Sequence, residues 1–153
     1  MAYAELATGR LRQFRLRQPE QVRRVVFVCS GNICGSVFGY QVACESGLCV
    51  ASLGLSTTTG VGSPDAALEA ARRNGIELDQ HRAVDRGDFN VQPGDLFLVM
   101  EVRQGYELRR RLGSRDDVQV CLFGMWCSPA VPHRHDPFSL NSEYFNTCFA
   151  GVR

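Results

Sequence analysis

Residues 25–40 read VVFVCSGNICGSVFGY. Cys29 ends an apolar run, and Ser30, Gly31, Asn32, Ile33, Cys34, Gly35 and Ser36 follow before a helical pattern begins. A loop between a buried strand and a helix N-terminus aims several backbone N–H groups at one point, and the helix end adds its positive dipole. Such a nest binds a tetrahedral oxyanion and lowers the pKa of a cysteine held inside it. Cys29 is placed to be that cysteine, a thiolate at neutral pH that can attack phosphorus. Gly31 allows either a positive φ or a close backbone approach. Asn32 tolerates the left-handed conformation and can tie the loop together through its side chain. Ser36, at the helix start, can donate a hydroxyl hydrogen bond to the sulfur. The same spacing also fits a buried structural cysteine followed by a turn, and the loop holds no cation.

The elements around this loop alternate. Val25 to Val28 predicts a buried strand, and Ser36 to Ser46 a helix stopped by Gly47. Cys49 to Leu53 predicts a second strand. Ser63-Pro64-Asp65 predicts a helix start, with serine as N-cap, proline first and an acid in the first turn; that helix ends at Gly75. Residues 95–100, DLFLVM, form an apolar run suited to a parallel strand covered on both faces. A helix follows in EVRQGYELRRRLG, with Glu107 placed to meet Arg110 or Arg111. Residues 118–123 predict the fourth strand, residues 129–137 a proline-rich loop, and Ser142 onward a last helical segment. This order is α/β: a four-stranded parallel sheet with helices on both faces, flavodoxin-like in order. Ligands bind beyond the carboxyl ends of such strands, where Cys29 falls.

Composition narrows the classes. The 153 residues are 44% hydrophobic and 22% charged, which fits one soluble domain. The net charge of +1 gives no electrostatic case for nucleic acid or an anionic membrane. All 17 basic residues are arginine, and six of them crowd residues 1–24. Residues 1–23 are therefore expected to be a loosely ordered extension of a domain spanning 24–153. Seven cysteines without a CxxC pair, and no signal-peptide pattern, point to a reducing cytoplasm and mostly unbonded thiols. His81, His133 and His135 have no metal-ligand spacing, so neither a metal nor a cofactor is expected.

VCSGNICGS resembles the signature of the low molecular weight protein tyrosine phosphatases: a cysteine, five residues, an arginine and a serine. SLGLSTTTGVGSPDAA, GIELDQHRA and LFLVME resemble later family segments in the right order. VCLFGMW is similar to the strand end of the bacterial branch associated with capsule and exopolysaccharide export, and HDPF stands where the family has Asp-Pro-Tyr. The resemblance covers roughly residues 24–149. It implies a phosphoric monoester hydrolase that uses no cofactor. Its substrate would be a phosphotyrosine protein, such as a bacterial tyrosine kinase of polysaccharide export, and it would bind inorganic phosphate. It further implies Cys29 as nucleophile, Asp136 as general acid and then base, and Ser36 and Asn32 as shapers of the loop. Ser30, Gly31, Asn32, Ile33, Cys34 and Gly35 would surround the phosphoryl group. Cys34 would be a redox partner able to close a protective disulfide with Cys29.

The chain departs from the family pattern at four places. Gly35 stands where the family has the arginine that grips two phosphoryl oxygens. By analogy with arginine fingers, its loss costs ~10³–10⁵ in rate, roughly 4–7 kcal/mol. Phe138 replaces tyrosine, keeping an aromatic wall without the hydroxyl. Thr57, Thr58 and Thr59 occupy the second loop, where many members carry a large apolar residue; Thr58 is the expected substrate contact there. The sequence ends at FAGVR, before the family's last helix would finish, which implies a shortened helix. Two other readings compete with a slow phosphatase. One is a pseudophosphatase that binds phosphate or a phosphoprotein. The other, ranked last, is an arsenate reductase, since residues 101–117 hold none of the cysteines that chemistry needs.

Overall fold

The computed structural model describes residue 4 and residues 7–126, with the side chain of Trp126 excepted. Four strands, β1 (Arg24–Cys29), β2 (Val50–Gly54), β3 (Asp95–Val99) and β4 (Gln119–Leu122), form one sheet in the order β2-β1-β3-β4. All pairings are parallel, with Val26 opposite both Ala51 and Phe97, and Leu98 opposite Cys121. Three helices link them: α1 (Gly35–Glu45), α2 (Asp65–Arg73) and α3 (Val102–Leu112). The four apolar runs of the sequence thus became the four strands, and the expected parallel architecture holds.

Strand alternation sends side chains to two covered faces. On one face Val26, Val28, Phe97, Val99, Val120 and Leu122 cluster with Val102 and Leu108 of α3. On the other, Phe27 and Cys29 cluster with Tyr40 and Ala43 of α1. A third cluster backs the cysteine loop: Cys34, Val37 and Phe38 pack against Ala67, Ala70 and Ala71 of α2, with Ile76 and Leu78. Here the small alanines of α2 pack beside the larger Val37 and Phe38 of α1.

Two local expectations are corrected. α2 has Pro64, not Ser63, as its N-cap; Pro64 O accepts from Ala67 N–H and Leu68 N–H, and Ser63 Oγ is buried without a partner among the described residues. The stop at Gly75 is as expected, with φ of 75° and Ile76 N–H bonded back to Ala71 O at 3.0 Å.

The larger correction concerns the arginine-rich start. Residues 10–14 form a 3-10 turn whose Leu11 and Phe14 are completely buried in the sheet's core. The Phe14 ring meets Tyr106 edge-on at 5.1 Å and lies under the Arg109 guanidinium at 5.7 Å. Arg109 Nη1 donates to Gln13 O at 2.7 Å. Gln119 accepts from the amides of Arg17 and Gln18 and donates to Gln18 O. Only a glycine at 105 admits this ring, since a Cβ there would stand 2.7 Å from Phe14 Cε1. Two apolar residues, hidden among the charges, dock the segment that composition marked as loose. No helix of the described residues is long and apolar enough to cross a membrane.

Candidate active site

The site begins where β1 ends. Cys29 is the last residue of β1 and Gly35 the first of α1, so the intervening loop lies at the carboxyl edge of the sheet. The first intrahelical bond runs from Phe38 N–H to Cys34 O at 3.0 Å. The amides of Gly35, Ser36 and Val37 precede it and point out of the helix's N-terminal end. Cys29 is 2% exposed, and Asn32 and Ser36 are fully buried.

Asn32 is the keystone of the loop. It has φ of 52°, the one non-glycine residue in the left-handed region among those described. Its backbone N–H donates to Cys29 Sγ at 3.2 Å. Its Nδ2 donates to Ser36 Oγ at 3.0 Å, and Ser36 Oγ stands 3.0 Å from Cys29 Sγ. Ser36 Oγ thus accepts from Asn32, and its own hydrogen is available to donate toward the sulfur. Asn32 Oδ1 in turn accepts from Val84 N–H at 2.9 Å. The two possibilities open for Gly31 resolve to close approach: its φ is not positive, and a Cβ would sit 3.1 Å from the Ile33 side chain.

Neighbouring segments hold the loop from outside. Leu55 N–H and Ser56 N–H donate to the carbonyls of Cys29 and Ser30 at 3.0 and 2.9 Å. Gly54 permits that approach, because a Cβ there would lie 2.9 Å from Ser30 O. His81 Nε2 meets Asn32 O at 2.7 Å. Burial pushes its pKa below the ordinary value, more than that hydrogen bond raises it. The ring is therefore neutral near pH 7 and donates its Nε2 hydrogen to the carbonyl. Gln104 Oε1 accepts from the amides of Met100 and Glu101, and Gln104 Nε2 reaches Ser30 Oγ at 3.4 Å. Asp85 receives Gly87 N–H at 2.8 Å and Thr57 N–H at 3.3 Å. The Gly87 bond is the main cause holding its carboxyl below the usual range.

The residues expected at the site divide accordingly. Cys29, Ser30, Gly31, Asn32, Ile33, Cys34, Gly35 and Ser36 share one loop and helix start. Thr58 is exposed on the loop after β2, and its carbonyl accepts from Val61 N–H. Asp136 and Phe138 lie outside the described residues. A side chain at Gly35 would have room, since nothing stands within 4 Å of an added Cβ. Sequence reasoning gave no role to His81, Gln104, Asp85 or Gly54. Only Gln104 carried a local signal, the Glu101-x-x-Gln104 capping box that opens α3.

EpsP of Ralstonia nicotianae, named a probable low molecular weight protein-tyrosine-phosphatase, is 32% identical over 92 residues. That stretch is 59% of this chain and 63% of EpsP, so the chain spans less than two thirds of that relative's length. The low molecular weight protein-tyrosine-phosphatase Wzb of Salmonella typhi is 27% identical over 82% of this chain and 84% of its own. The crystal structure of the Erwinia amylovora tyrosine phosphatase AmsI superposes with a TM-score of 0.71 at 26% identity, covering 90% of each chain. The profile of the low molecular weight phosphotyrosine protein phosphatases matches residues 24–153. Matched by that profile over most of its length, the chain belongs to the low molecular weight phosphotyrosine protein phosphatase family.

Proposed function

We propose that the protein hydrolyses aryl phosphate monoesters, phosphotyrosine in a protein among them, slowly and through a phosphocysteine. The observation that carries this reading is the Asn32–Ser36–Cys29 network, which directs donors at one buried sulfur in front of a helix N-terminus. In this mechanism Cys29 Sγ attacks phosphorus as the bond to the aryl oxygen breaks. Asp136 gives its proton to the leaving phenolate. Water then attacks the phosphocysteine, Asp136 takes a proton back, and inorganic phosphate leaves. The Ser36 hydroxyl stabilises the sulfur as it departs. Cys34, buried in the same loop, serves as the redox partner of Cys29.

Gly35 supplies only a backbone N–H where charge builds on the phosphoryl oxygens, so turnover is low. Resemblance to the exopolysaccharide branch supports a bacterial tyrosine kinase of polysaccharide export as the phosphoprotein, met in the cytoplasm, with Thr58 and Phe138 beside its phosphotyrosine ring. The test is hydrolysis of para-nitrophenyl phosphate by the protein and its Gly35→Arg variant. The open space at Gly35 makes that variant sterically acceptable. We expect kcat to rise by ~10³–10⁵. No gain in a folded variant would overturn the phosphatase reading.

A second reading, a pseudophosphatase that binds phosphate or a phosphoprotein without turnover, is favoured by Gly35 alone. It predicts saturable phosphate binding by the unmodified protein and no hydrolysis even with Gly35→Arg.

A further inference from the structure

At the amino end of the sheet, away from Cys29, lies a cavity of about 280 Å³. Its walls come from three separate parts of the chain: the segment before β1, the last turn of α3, and the start of β4. Each part brings arginine. Arg15 and Arg17 come from the first, Arg109 from the second and Arg115 from the turn before β4. Asp116 also lines the cavity, and Asp117 binds Arg115 through two hydrogen bonds of 2.8 and 2.6 Å. After both acids are counted, two positive charges remain in surplus.

The α3 carbonyl end explains part of this charge, because cations suit the last turn of a helix. It does not explain Arg15 and Arg17, which belong to another segment. Neither has a carboxylate partner among the described residues. Part of the cup is held in place before any ligand arrives, while the Arg15 and Arg17 side chains are exposed to meet one. Arg109 is fixed by Gln13 O and the Phe14 ring, Arg115 by Asp117, and the backbone of Arg17 by Gln119. Held like charges repel, and a bound anion relieves them. Guanidinium forks match phosphate oxygens in pairs. The volume lies just below the usual range for drug-sized ligands, so the ligand is small.

We propose that this cup binds a polyphosphate chain, free or as the tail of a nucleotide, through Arg15, Arg17, Arg109 and Arg115. The site lies at the opposite end of the strands from the cysteine loop and is independent of its chemistry.

Calorimetric titration of the full chain with tripolyphosphate at about 0.15 M salt, where diffuse surface charge is screened, tests this. Arg15→Gln combined with Arg17→Gln should weaken binding about tenfold or more. Arg10→Gln combined with Arg12→Gln removes the same charge nearby but outside the cup, and should weaken it less than about twofold. Adenosine triphosphate in place of tripolyphosphate should show the same pattern of losses. Equal losses in both pairs would mean diffuse attraction and overturn the proposal. No loss in either pair would place the anion at the cysteine loop and overturn it too. Absence of binding at millimolar tripolyphosphate would do the same.

Discussion

Asn32 concentrates more of the site's geometry than Cys29 does. One residue fixes the left-handed turn, feeds the sulfur, steers Ser36 and ties the loop to Val84. Asn32→Ala, made on the Gly35→Arg background, should lower kcat by ~10², because the reacting sulfur loses its placement. Steady-state hydrolysis with a melting curve separates that from unfolding. His81 makes a pH prediction. Its folded pKa lies below the ordinary 6.5, so the unfolded chain takes up the proton first as pH falls. Its contribution to stability is complete above about pH 6.5 and declines below it. Melts at pH 7.5 and pH 5 should show a larger loss for the wild type than for His81→Gln. The position of Cys29 was legible in the sequence because a strand-ending cysteine before a Gly-Asn turn has a local signature. His81 was not, since its partner lies 49 residues away and only the fold brings the two together.

Among the elements, the strands were the most readable, since parallel strands covered on both faces must be apolar throughout. The segment before β1 was misread for a physical reason. Its composition is dominated by arginine, yet stability depends on what Leu11 and Phe14 bury, not on how many charges surround them. Phe14→Ala should cost about 3–5 kcal/mol in denaturant unfolding, the range for a large aromatic lost from a packed core. An unchanged midpoint would mean that this turn is only peripheral. The start of α2 was misread more mildly. Ser63-Pro64-Asp65 carries the right residue types, but Pro64 takes the cap and leaves the serine hydroxyl inside.

At the scale of the described fold, the carboxyl end of the sheet holds the cysteine loop and the amino end holds charge. There Arg24 grips the buried Asp95 with two hydrogen bonds of 2.7 Å, and Gln92 N–H adds a third at 2.8 Å. Arg24→Ala should destabilise by about 3–5 kcal/mol, because it strands a buried carboxylate. Arg24→Ala with Asp95→Asn should recover much of that loss, as a double-mutant cycle of chemical denaturation will show. The buried residues before β1 carry one more consequence. The family profile begins at residue 24, but the core it describes is closed by Leu11 and Phe14. A gene trimmed to the boundary of homology would cut through the hydrophobic interior. For this chain, the stretch matched by the family profile and the stretch that closes the core have different edges.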